Sequence, residues 1–176
     1  MMKLEQRISS RHIYDGRILN LRVDEVKIEN GKSTSREIVE HRGAAAIVPL
    51  LTENEVILVR QYRYAVSAEL LEIPAGTLEP SEDPEDCAKR ELEEETGYTC
   101  RTISKVLECF VAPGYSTERI HIYLAKGLTK TRMRTEEDEN INVETFPFEE
   151  ALDKIRSGEI QDAKTIAGLQ GVAQLL

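Results

Sequence analysis

Residues 76–98 read GTLEPSEDPEDCAKRELEEETGY, and they constrain the fold more than any other stretch of the chain. Asp83 can cap a helix, Pro84 suits its first position, Asp86 sits in the first turn beside the positive dipole end, and Gly97 suits the stop. On that helix Glu91 and Glu95 are four apart and share a face, with Glu94 beside them. Ala88 and Leu92 fall on another face, with Cys87 near it, and can anchor the helix to a sheet. Three clustered carboxylates repel one another, and one takes up a proton unless a divalent ion holds them. Oxygen-only donors suit Mg²⁺ or Mn²⁺ rather than zinc. Glu82 and Arg90 read as an ion pair that orients the cluster. The loop from 76 to 83 folds back over the helix start, and Gly76 brings the backbone close, so the Ala75 carbonyl becomes a candidate ligand. The bland alternative is a charged, exposed helix; against it stands the whole pattern of glutamates, arginine, capping residues and two glycines at fixed spacing.

The charge distribution supports the same reading. The chain carries a formal net charge of −9 over 176 residues, which disfavours nucleic acid and anionic membrane surfaces as partners. Between Glu79 and Glu95 nine acids face only Lys89 and Arg90. Such crowding calls for cations, and an anionic substrate would then bind through a bridging metal. The chemistry implied is metal-assisted attack of water on a phosphate.

The length fits one domain with a real core. Cys87, Cys100 and Cys109 are odd in number and lack C-x-x-C spacing, so we expect reduced, buried thiols and a cytoplasmic setting. The first ten residues, MMKLEQRISS, contain no apolar h-region, so no signal peptide is expected. The apolar run 43–51 is far too short to span a bilayer.

The first 40 residues read as strands, with partly alternating apolar residues from Ile18 to Ile28, a hairpin signal at Asn30-Gly31 and a further strand over 35–41. Segments 43–51 and 55–62 read as buried strands. Strands are also predicted at 69–73, 103–110, 119–125 and 142–146, and helices at 148–157 and 163–175. This order predicts a mixed α/β sandwich. His12, His41 and His121 lack ligand-like spacing and read as strand residues.

Residues 76–98 resemble the Nudix box: Gly, five residues, Glu, seven residues, then Arg-Glu-apolar-x-Glu-Glu-x-Gly-apolar. The matching positions are Gly76, Glu82, Arg90, Glu91, Leu92, Glu94, Glu95, Gly97 and Tyr98; only Tyr98, where an aliphatic residue is usual, fits loosely. The resemblance implies a Nudix-type α/β/α sandwich with a mixed sheet and an N-terminal antiparallel β region. It also implies hydrolysis of a nucleoside diphosphate linked to another group, with Mg²⁺ or Mn²⁺, roughly two or three ions per site. Pro113 stands sixteen residues past Gly97, as in ADP-ribose pyrophosphatases of this family. The segments Val59-Arg60-Gln61-Tyr62-Arg63-Tyr64 and Arg36-Glu37-Ile38-Val39-Glu40, and the acidic run Glu136-Glu137-Asp138-Glu139, also look like that subfamily.

The subfamily resemblance implies cleavage of ADP-ribose to AMP and ribose 5-phosphate. It implies a homodimer built through residues 1–42, which also contribute to the nucleotide pocket, with 43–176 as the catalytic domain. The metal ligands it indicates are Ala75, Glu91, Glu94, Glu95 and Glu139, with Glu137 as the general base. Four acids in a row admit a register shifted by one. Glu82, Arg90 and Glu94 join the catalytic set. Arg36 and Arg63 are candidates for nucleotide recognition, since an arginine can stack on adenine or bind phosphates. Glu37 would accept from the adenine amino group or else lie on the strand surface. Pro113, Ser116 and Glu118 are the remaining substrate candidates. The alternatives are hydrolysis of another nucleotide sugar such as GDP-mannose, or a non-catalytic Nudix-fold ADP-ribose sensor, which would usually lose box glutamates that this chain keeps. An isomerase on the same fold would want a catalytic cysteine.

Overall fold

The computed structural model describes residues 5–133 and 140–176, which fall into two compact units: Met1–Gly43 with Phe110–Arg119, and Ala44–Cys109 with Ile120–Leu176. The first unit is an antiparallel sheet of β1 (Gln6–Asp15), β2 (Leu19–Lys27) and β3 (Ser33–His41), in that order. The expected Asn30-Gly31 turn joins β2 to β3: Gly31 takes φ +82° and Asn30 Oδ1 accepts from Lys32 N at 3.0 Å. β1 is exposed along its whole length. It is a strand, as expected for the first 40 residues, although its polar centre Ser9-Ser10-Arg11-His12 carries no apolar alternation. The loop after residue 110 is stitched to β3: Val39 N donates to Tyr115 O at 2.8 Å and Thr117 N donates to Val39 O at 3.0 Å.

The second unit is a seven-stranded mixed sheet with helices on both faces. It contains β4 (Ala44–Thr52), β5 (Glu55–Arg63), β6 (Ala68–Glu72), β7 (Ala75–Thr77), β8 (Tyr98–Phe110), β9 (Arg119–Lys130) and β10 (Ile141–Pro147). The order along the main path is β10-β5-β4-β9-β8, with β6 on β5 and β7 on β4. β4 and β9 run parallel at the centre. Strand alternation sends Ala44, Ala46, Val48 and Leu50 to one face, with Ile120, Ile122 and Leu124 of β9. There they pack on α2 (Phe148–Ser157) and α3 (Ala163–Ala173) through Phe148, Ala151, Leu152, Leu169 and Val172. Ala45 and Ile47, with Tyr123 and Ala125, face the opposite way onto Cys87, Ala88 and Leu92 of α1 (Pro84–Thr96). A strand covered on both faces has to be continuously apolar, which explains the run GAAAIVPLL. This is the expected sandwich.

Some expectations shift in detail. β7 was expected as loop; three residues beside a proline carry too little pattern to register as a strand. β8 begins at Tyr98 rather than 103, because the left-handed Gly97 turns the helix end directly into the sheet, and β9 runs on to Lys130. All three cysteines are free, but only Cys87 is buried. Cys100 and Cys109 are half-buried because β8 is an edge strand. His12, His41 and His121 lie in β1, β3 and β9. No helix among the described residues is long and apolar enough to cross a membrane.

Candidate active site

α1 is built as its residues dictate. Asp83 Oδ1 accepts from Glu85 N at 2.8 Å, Pro84 opens the helix, and Gly97, at φ 70°, closes it by donating to Glu93 O. Leu92, Ala88 and Cys87 fix the helix on the sheet, Glu91 and Glu95 meet β7, and Glu94 rests on Arg90. Ala75 N donates to Glu95 Oε2 at 3.1 Å. One residue on, Gly76 leaves room for the Glu91 carboxylate: a Cβ there would lie 1.7 Å from Glu91 Oε1. Two successive backbone positions of β7 thus meet two helix carboxylates. β7 is held in turn by its antiparallel pairing with β4 and by Ile47 N donating to Pro74 O at 2.9 Å.

Arg90 ties the cluster together. Its Nε and Nη2 donate to Glu82 Oε1 and Oε2 at 2.9 and 3.1 Å, while Nη1 donates to Glu91 Oε1 at 2.6 Å and Glu94 Oε2 at 3.0 Å. Glu82 is further held by Glu79 N at 2.8 Å. The Arg90 hydrogen bond keeps the Glu82 carboxyl below its usual range, and the three acids raise the Arg90 guanidinium, Glu82 most of all. The predicted Glu82–Arg90 pair is therefore present, and it braces the loop over the start of α1. Burial pushes the Cys87 thiol up to about 12, so it is a packing group rather than a nucleophile.

Among the described residues no three carboxylate, imidazole or thiol groups already converge at ligating distance; a guanidinium nitrogen lies between Glu91 and Glu94. The donors nevertheless fit a hard divalent cation. They are oxygen-only, Glu91 and Glu95 are nearly buried, and the Gly76 cradle admits a carboxylate where any side chain would exclude it. Glu91, Glu94, Glu95 and the Ala75 carbonyl would hold such an ion.

The other candidates fall into separate groups. Arg63, at the end of β5, donates Nε and Nη2 to Glu72 Oε1 and Oε2 at 2.8 and 2.7 Å. Arg36 makes an exposed two-pronged pair with Glu5, at 3.0 and 2.6 Å, and that contact lowers the Glu5 carboxyl. Glu37 is exposed on β3. Pro113, Ser116 and Glu118 lie in the loop stitched to β3. There Ser116 Oγ accepts from Glu118 N at 3.1 Å and Glu118 Oε1 stands 3.9 Å from His41 Nδ1. Glu137 and Glu139 lie outside the described residues.

Sequence reasoning missed a second polar cluster in the sheet unit. Glu72 receives Arg63 and Lys164, Lys164 reaches Asp162 Oδ2 at 3.0 Å, and Asp162 caps α3 by accepting from Thr165 N at 2.9 Å. Thr165 Oγ1 accepts from Ile73 N at 2.8 Å. Two signals were available: an acid inside the apolar run Leu70-Leu71-Glu72-Ile73, and a capping Asp162 ahead of α3.

A sandwich carrying a capped glutamate helix against a glycine ledge defines a class of metal-using hydrolases. Comparison with known proteins agrees: residues 40–169 match the NUDIX domain and residues 5–39 match the nucleoside diphosphate sugar hydrolase N-terminal domain. The chain belongs to the Nudix hydrolase family. It is 41% identical over 168 residues to the methanol dehydrogenase activator of Bacillus methanolicus, covering 94% of this chain and 91% of the relative. It is 39% identical over 173 residues to the ADP-ribose pyrophosphatase of Bacillus subtilis, covering 97% and 94%. A GDP-mannose pyrophosphatase of Cronobacter sakazakii is 38% identical over 151 residues, covering 76% and 78%. The fold matches the crystal structure of an ADP compounds hydrolase with a TM-score of 0.89 at 21% identity, covering 100% of this chain and 96% of that one.

Proposed function

We propose that this protein is a metal-dependent pyrophosphohydrolase that cleaves ADP-ribose to AMP and ribose 5-phosphate. The observation that carries the hydrolytic chemistry is the seating of Glu91 against Gly76 and Glu95 against Ala75 N, with Glu94 beside them on Arg90. The full-length similarity to an ADP-ribose pyrophosphatase supports the substrate. Similarity to a GDP-mannose pyrophosphatase supports a second reading on the same chemistry.

Mg²⁺ or Mn²⁺, roughly two or three ions when bound at this site, would supply charge to offset the diphosphate and would lower the pKa of a water. Glu91, Glu94 and Glu95 supply the carboxylates for it. Arg90 and Glu82 keep those side chains oriented, and Glu137 takes the proton from the attacking water, with Glu139 as a further ligand. Arg63 binds the diphosphate. Arg36, Glu37, Pro113, Ser116 and Glu118 recognise the nucleoside and ribose.

Residues 1–42 form the contact of a homodimer and part of the nucleotide pocket, and 43–176 carry the chemistry. The exposed Ile8, Tyr14 and Ile18 support a second copy covering this sheet, since apolar clusters at a surface mark interaction sites. Three free thiols support a cytoplasmic setting.

The test is phosphate release, coupled to alkaline phosphatase, from ADP-ribose, GDP-mannose, ADP-glucose and NADH with each metal. Fastest turnover on ADP-ribose, abolished by EDTA and reduced about a hundredfold or more in Glu95→Gln, is the expected result. A faster rate on GDP-mannose selects the second reading. Folded, metal-binding protein inert on all four compounds overturns the hydrolase reading.

A further inference from the structure

Glu72 is a buried acid that the proposed chemistry leaves unused. It ends β6 with 1% of its surface exposed, and a carboxylate that deep keeps its charge only with partners. Arg63 meets both of its oxygens, and Lys164 donates to Oε2, the oxygen that also accepts from Arg63 Nη2. Lys164 is itself held by Asp162, the cap of α3. The carboxylate is therefore fixed in rotation from the α3 side.

Arg63 is different in kind. Its side chain is 40% exposed. Two of its nitrogens are taken by Glu72, whereas Nη1 makes no hydrogen bond among the described residues. Glu72 does most to hold it cationic, and Glu95 of α1 is among the charges acting on it. One edge of the guanidinium is thus fastened to a buried anchor. The remaining corner belongs to a part-exposed side chain on which Glu95, a proposed metal ligand, also acts electrostatically. An arginine held this way presents a directed donor to an anion without losing further side-chain freedom on binding.

The geometry points to Glu72 and Lys164 as positioning residues for substrate binding: together they hold Arg63 by one edge so that Nη1 meets the diphosphate of a nucleotide sugar. This rests on the reading of Arg63 as a diphosphate contact. Without Lys164, the Glu72 carboxylate loses the contact that fixes it from the α3 side, and Arg63 loses a rigid anchor.

The experiment measures KM and kcat on ADP-ribose, and calorimetric Kd for a methylene-bridged, non-hydrolysable analogue. The proteins are wild type, Lys164→Met, Lys164→Arg, Arg63→Met and the double variant Arg63→Met/Lys164→Met. Lys164→Met raises KM and Kd about tenfold, the scale of one charge-assisted hydrogen bond, with kcat within about twofold. Lys164→Arg restores both constants, and the double variant is no weaker than Arg63→Met alone. Should Lys164→Met not fold, Lys164→Gln carries the same expectation. If Arg63→Met weakens binding while Lys164→Met does not, or lowers kcat alone, or adds independently in the double variant, the positioning role is overturned and the Arg63 reading stands. If Arg63→Met itself leaves KM and Kd unchanged, the Arg63 reading falls and the positioning role with it.

Discussion

A single methyl group separates a working site from a displaced one at Gly76. The atom it would strike belongs to the end of the Glu91 side chain, so the clash is relieved by moving the carboxylate rather than the backbone. Gly76→Ala should therefore melt close to wild type but bind Mn²⁺ about 10–100-fold more weakly and turn over correspondingly more slowly. A Mn²⁺ titration beside a melting curve checks this, and unchanged affinity would show that the close approach is incidental. Glu72 gives a pH signature. Burial alone would raise its pKa, but the Arg63 and Lys164 contacts outweigh it and the carboxyl lies below its usual range. A group depressed in this way stabilises the fold fully above the unfolded value, about 4.3 for glutamate, and gives that up as pH falls through the folded value. The melting-temperature gap between wild type and Glu72→Gln should be widest at neutral pH and close on acidification below about pH 4.

At the scale of elements, α1 owes its position to packing and its ends to capping, and the two can be separated. Leu92→Ala opens a cavity in the face shared with Ala45, Ile47 and Tyr123 and should cost about 2–5 kcal/mol. Asp83→Ala loses one cap bond and should cost about 1 kcal/mol; denaturant melts of both variants measure the difference. α1 was legible in the sequence because cap, proline, periodicity and glycine all agree within one window. The two-sided strand β4 was legible for the opposite reason, an unbroken apolar run. What stayed hidden was set by tertiary contact. β7 is a strand because β4 lies beside it. The Glu72–Arg63–Lys164 cluster joins residues 9 and 92 positions apart, a separation that local pattern does not span.

For the whole molecule, the exposed apolar residues of β1 and the segment after it bear on assembly. Light scattering should give about twice 19.9 kDa, and Ile8→Glu should lower it toward one chain; a monomeric wild type would remove the dimer from the reading. The unit containing β1–β3 is also discontinuous: it takes in Phe110–Arg119, whose flanking strands β8 and β9 run on into the other unit. The backbone therefore leaves the first unit, returns to it once and leaves again. No single cut divides this protein into two self-sufficient pieces. A chain shortened to begin at Ala44 would keep the stretch 110–119 while discarding Val39 and His41, to which it is fastened. Limited proteolysis between 43 and 44 should accordingly yield fragments that stay together on a sizing column, and dissection by gene truncation would succeed only if residues 110–119 were also replaced by a short turn.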